Sequence, residues 1–160
     1  MTEAKSRPSS QQTRPDHLVA SPGIFHALRL KPGDNLTASL RHAFEQAQTQ
    51  SMAVVTCVGS LTQVAIRHAN QPQATLYRGH FEITSLVGTI DAAGEHLHLT
   101  ITDGEGRAFG GHLLPEDSAI YTTAEIVTLS LPQMRFERLP CAYSGYDELV
   151  VTSQESEANL

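Results

Sequence analysis

One amphipathic helix followed by almost nothing but strand is what most narrows the fold of this chain. Leu36, Leu40, Ala43, Phe44 and Ala47 recur at helical spacing and form a single apolar stripe. Ahead of it, Lys31-Pro32-Gly33-Asp34-Asn35 is turn sequence, with either Asp34 or Asn35 placed to cap the helix. The spacing predicts a helix over about residues 36–50. His42 sits at the edge of the stripe and reads as a surface residue. No second helix of this quality follows, so the strand–helix alternation of a doubly wound parallel sheet is missing. The expected class is α+β: a strongly bent, mostly antiparallel sheet of about 7–9 strands, with the helix packed on it.

The strands are read as follows. Ile24 to Leu30 alternates. Met52 to Val58 is a continuous apolar run, which predicts a central strand buried on both faces and broken at Gly59-Ser60. Leu61 to His68 alternates again. Ala74 to Arg78 and Phe81 to Ile90 follow, with Gly79 and Gly88 as bends or bulges. Pro115-Glu116-Asp117 reads as a turn, Ser118 to Leu131 as a long strand and Met134 to Leu139 as a short one.

Between these lies His96 to Leu114, HLHLTITDGEGRAFGGHLL. His96 and His98 are two apart, so on a strand they leave one face while Leu97, Leu99 and Ile101 leave the other. Asp103-Gly104-Glu105-Gly106 supplies a tight turn, and Arg107 to Phe109 returns. Gly110-Gly111 lets the backbone bend or approach something closely, and His112 follows. Such a hairpin brings His112 to the His96/His98 pair. Three converging imidazoles suit Zn²⁺ or a similar divalent ion with one position left open. The bland alternative is three polar histidines hydrogen-bonded on a solvated or interface face.

Length and charge set the outer limits. The chain has 160 residues, which suits one domain with tails. Residues 1–22 are polar and rich in Pro, Ser and Gln, as expected of a flexible arm; 23–152 form the domain; 153–160 form an acidic tail. Residues 23–152 carry −5 of the net −6. That is a poor start for duplex DNA, where Lys and Arg must neutralise phosphates. No apolar run approaches the length of a membrane span, and the N-terminus lacks the apolar segment of a secretory signal. Cys57 and Cys141 are far apart, and Cys57 reads as a small buried thiol. A cytoplasmic location is the expectation.

Several motifs in register resemble the plants-and-prokaryotes conserved domain, which in plants accompanies AT-hook motifs. They are Val58-Gly59-Ser60-Leu61-Thr62-Gln63-Val64, Tyr77-Arg78-Gly79-His80-Phe81-Glu82-Ile83-Thr84-Ser85-Leu86-Val87-Gly88-Thr89-Ile90, His96-Leu97-His98, the Asp103–Gly106 turn, Gly110-Gly111-His112 and Thr123-Ala124-Glu125-Ile126-Val127. The resemblance runs from about Phe25 to about Leu149. It implies an α+β fold, a homotrimer and contacts with partner proteins. In plants the AT-hook grips A/T-rich minor groove; no Arg-Gly-Arg-Pro core stands in this chain. Prokaryotic stand-alone members are similar in carrying histidines at the positions of His96, His98 and His112.

Three functional classes follow. The first is a homotrimeric, metal-binding module that binds a small ligand or protein partner, in a regulatory or DNA-associated role. The second is a zinc-dependent hydrolase of small molecules, with Glu82 as fourth ligand, histidine-orienting partner or general base. Against that role, Glu82 is a strand carboxylate in water or paired with Arg78 or Arg107. Glu125 is a weaker candidate of the same kind, and His80 reads as a surface or interface residue. The third class, direct DNA binding, is opposed by charge. Tyr143-Ser144-Gly145-Tyr146 either lines a pocket or forms an ordinary loop.

Overall fold

The computed structural model describes residues 18–154; most of the expected arm and tail, residues 1–17 and 155–160, lie outside them. The order of elements is β1 (Ile24–Leu30), α1 (Leu36–Gln46), β2 (Met52–Arg67), β3 (Thr75–Asp91), β4 (Gly94–Thr102), β5 (Ala108–Ser130), β6 (Met134–Pro140) and β7 (Asp147–Ser153). Every named pairing is antiparallel. The class is α+β, as expected. The main sheet has the order β1-β5-β2-β3-β4, and β4 also pairs with β5. That extra pairing joins β5, β2, β3 and β4 into a closed ring, so the bend runs to closure and removes two open edges. β6 and β7 form a separate hairpin.

The apolar stripe of α1 fills the core as its spacing requires: Leu36, Leu40 and Phe44 are buried. Asn35 is the cap, its side chain accepting from the Ala38 N–H at 2.9 Å. The Asp34 carboxylate instead closes the preceding turn on the Lys31 N–H. The helix ends at Gln46, earlier than the periodicity alone predicts. Gln48 takes a positive φ of 48°, which turns the chain out of the helix toward β2.

Three expectations are corrected. Gly59-Ser60 does not break β2, which runs through 16 residues. β2 is not buried on both faces either: Val54 and Cys57 face the core, while Val55 and Val58 are exposed. Burial pushes the Cys57 thiol up to about 11. Pro115-Glu116-Asp117 does not end a strand but lies inside β5. Its turn-like composition is still expressed. From Val64 to Ile66, β2 advances two residues, while β5 spans five between Leu113 and Ser118, so the Pro115 segment bulges off the ladder. Proline has no N–H to pair there. The start of α1 docks on the bulge: Thr37 Oγ1 donates to the Pro115 carbonyl, and Asn35 Nδ2 donates to the Glu116 carbonyl at 3.3 Å.

The β6–β7 hairpin was not foreseen as a pair, because Asp147–Ser153 has little strand-like composition before Leu149. Arg138 on β6 ties it to the body. Its guanidinium donates to Asp91 at 3.0 Å and to Thr89 at 2.8 Å. Beside this, Arg41 of α1 bonds the Asp91 carbonyl and pairs with Glu95, both at 2.6 Å. Among the described residues no helix is long and apolar enough to cross a membrane.

Candidate metal centre

The β4–β5 seam holds the histidines. His98 and His112 are direct partners across it, and His96 lies two residues along β4 on the same face. Leu97, Leu99 and Ile101 are buried on the other face. The ring centroids are 5.2 Å apart for His96–His98, 5.2 Å for His96–His112 and 5.8 Å for His98–His112. One nitrogen from each ring lies within 4.8 Å of the others.

The glycine pair makes this approach practicable. A Cβ on Gly110 would stand 2.1 Å from the Leu99 carbonyl oxygen, and one on Gly111 would stand 2.6 Å from the Arg67 carbonyl oxygen. Only residues without a side chain let β5 lie this close to both β4 and β2. Gly110-Gly111 therefore acts as a close-approach point. The same register sets Arg67 of β2 opposite His112, so His98, His112 and Arg67 form a row across three strands.

The surroundings favour the neutral form of His96 and His112. His112 is pushed down to about 4, first by desolvation and then by the Arg67 guanidinium and the other two rings. His96 is lowered by desolvation, then by Arg138 and His98, while Glu148 acts in the opposite direction. Neutral imidazole is the metal-binding form. A tetrahedral Zn²⁺ at the usual Zn–N distance would space its nitrogens by about 3.3 Å, so rings at the 4.8 Å limit would have to close in by about 1.5 Å. The cluster can hold a metal ion, and an all-imidazole donor set suits Zn, Cu, Fe or Ni. When bound, such an ion supplies a Lewis-acidic position for one further donor.

The other described histidines are engaged elsewhere. His26 Nε2 bonds Ser130 Oγ at 2.8 Å. His80 stacks on Tyr121 at 4.2 Å, as a surface residue. His42 is exposed beside Glu45. His68 is held at both nitrogens: Nδ1–H donates to the Gly110 carbonyl at 3.0 Å, and Nε2 accepts from the Tyr77 hydroxyl at 2.6 Å. No such bond ties up the triad among the described residues.

Glu82 does not join the histidines. It is exposed on β3 opposite Thr102, whereas Val87 is the β3 residue opposite His98. Five residues of strand separate those positions by about 16 Å. The expected pairings of Glu82 are also replaced: Arg78 donates to Gln63, and Arg107 bridges Asp103 and Glu105. Glu125 is exposed opposite Arg29 and Val58, on the far stretch of β5.

Three clefts reach His112, and two of them also open on a second ring of the triad. One, of about 400 Å³, has His96, Arg67, Arg138, Glu95, Asp147, Glu148 and Tyr146 in its wall. The other, of about 720 Å³, runs from His98 along Arg67, His68, Asn70 and Gln71. Tyr146 lines both clefts, while Tyr143 is almost fully exposed. Arg67, Arg138 and the β7 acids had no signal in the sequence, since strand pairings across tens of residues bring them here.

The profile of the Plants and Prokaryotes Conserved (PCC) domain matches residues 18–132. The chain belongs to the PCC domain family. A hypothetical protein of Salmonella enterica has a structure that superposes on this PCC domain with a TM-score of 0.83 and 44% identity, covering 87% of this chain and 100% of that one. The "Bifunctional protein GlmU" of a Synechococcus strain is 41% identical over 146 residues, covering 90% of this chain. The PCC domain spans 22% of the length of that relative. A metal-containing protein of Archaeoglobus fulgidus shares the fold at a TM-score of 0.69 and 18% identity, covering 84% of this chain and 99% of that one.

Proposed function

We propose that this PCC domain is a homotrimeric, zinc-type metal-binding module that captures a ligand or partner. The observation that carries the reading is the convergence of three imidazole nitrogens within 4.8 Å of one another. The depressed basicity of His96 and His112 supports it, because protons then compete weakly for the lone pairs. A fold relative described as metal-containing adds support from outside the chain.

Self-association is supported by the apolar side chains left in water. Ile24, Phe25, Val55, Val58, Val87 and Tyr121 are all exposed on strands of the main sheet. Apolar surface of this kind favours burial between copies. The match to a fraction of a longer bifunctional protein fits a module that works beside other domains. Two free cysteines fit a reducing cytoplasm.

The hydrolytic reading loses its proton carrier, since Glu82 stands apart from the histidines. Direct DNA binding gains nothing from a net charge of −6.

The test has two parts. Elemental analysis of untagged protein is expected to give one equivalent of zinc or a similar ion per chain. Sedimentation at micromolar concentration is expected to give a species three times 17.4 kDa. Absence of bound metal together with failure to take up zinc on titration would defeat the metal reading. A purely 17.4 kDa species would defeat the trimer.

A further inference from the structure

Arg67 has an unusual position. It is paired directly with His112 across β2 and β5 and lines the clefts that open on His96 and His98, so a cation stands beside a site suited to another cation. Among the described residues it forms no ion pair, while Arg41, Arg107, Arg135 and Arg138 all do. The three ligands are imidazoles and bring no negative charge of their own. A divalent ion there and Arg67 would repel each other unless an anion lay between them.

The two clefts differ in what they offer such an anion. Arg67 lines both; in the cleft past His96 it stands with the carboxylates of Glu95, Asp147 and Glu148, and the second arginine there, Arg138, is already committed to Asp91 and Thr89. The larger cleft past His98 is lined by Arg67, His68, Asn70 and Gln71, and no carboxylate lines it among the described residues. His68 is fully occupied by Gly110 and Tyr77, so Arg67 alone supplies fixed positive charge. Asn70 and Gln71 add amide groups able to bond a polar ligand body.

We propose that Arg67 is an anion anchor. It holds the carboxylate or phosphate group of a small ligand against the open side of the three-histidine site, with the rest of the ligand in the 720 Å³ cleft. The planar guanidinium fork matches either oxyanion in two parallel hydrogen bonds. This deepens the metal-binding reading and rests on it.

The experiment uses the full chain loaded with Co²⁺, whose visible absorption reports its ligands, titrated separately with acetate and with methylphosphonate. A saturable spectral change in either arm is expected, and the arm that binds more tightly identifies the oxyanion class. Arg67→Ala is expected to keep its cobalt and weaken anion binding by about 10- to 100-fold, the loss expected for hydrogen bonds to a charged group. Arg67→Lys should fall between, retaining the charge without the fork. Calorimetry on metal-free protein should show no anion uptake at the same concentrations.

An unchanged spectrum with both anions overturns the proposal while leaving the metal site standing. So does Arg67→Ala binding either anion as tightly as the original protein. Loss of cobalt from Arg67→Ala alone would assign the residue to holding the strands and would also overturn it. Failure of the original protein to take up cobalt removes both readings together.

Discussion

His98 and His112 face each other across the β4–β5 seam, one ring on each strand, with centroids 5.8 Å apart. Either ring alone leaves a two-nitrogen site, too weak for stable zinc. His98→Ala and His112→Ala are each expected to remain folded, because neither ring is buried in the core, and to lose stoichiometric metal by elemental analysis. The loaded original protein should lose thermal stability on chelation, by about 4 kcal/mol where free metal had stood a thousandfold above its dissociation constant. Equal melting temperatures with and without chelator would contradict this.

Two alanine substitutions in the same hairpin should behave oppositely. Gly110→Ala drives a methyl group into the Leu99 carbonyl, at 2.1 Å, and must force β4 and β5 apart. The expected cost is about 2 kcal/mol or more in urea unfolding, together with weaker metal uptake. Gly104→Ala meets nothing within 4 Å and should shift stability by no more than about 0.5 kcal/mol. Similar effects from both would show that the seam has slack.

The metal-free protein should be acid-sensitive in a defined window. His112 is held down at about 4 in the folded chain, while in the unfolded chain it titrates at its ordinary value of 6.5. Between those values the unfolded state binds the extra proton, so stability falls as pH drops from 6.5 toward 4 and is level above 6.5 for this group. His96 acts in the same direction. Melting temperatures of chelated protein across this range should fall more steeply for the original than for His112→Ala. Parallel slopes would remove the assignment.

The Asp91 carboxylate, 1% exposed, accepts from Arg138 Nε and from the Ala93 N–H. Arg138→Ala strands that charge in the interior, at a cost of about 3 kcal/mol. The substitution also unhooks the β6–β7 hairpin, which brings Tyr146, Asp147 and Glu148 to the cleft past His96. Urea unfolding gives the first effect. The second should appear as faster protease cleavage in the 141–146 loop, and unchanged cleavage there would count against the tether.

Local signals carried much of this in the sequence. The stripe on α1, the Asn35 cap and the alternation that puts His96 and His98 opposite Leu97 and Leu99 depend on neighbours a few residues away, and each is realised. The triad was legible because a single hairpin supplies all three rings. Arg67 was not, since its approach to His112 depends on β2 meeting β5 across 45 positions of chain. Pro115-Glu116-Asp117 misled because a bulge and a turn draw on the same residues. Val55 and Val58 misled because an apolar side chain reads the same whether it faces a core or open water.

The 23-residue β5 carries His112 near one end and runs past Tyr121 to its pairing with β1 at the other. One strand thus spans the imidazole cluster and the sheet surface bearing the uncovered apolar side chains, with the Pro115 bulge between them. For the proposed metal-loaded trimer, any factor that loading applies to the association constant must return unchanged in the affinity for metal.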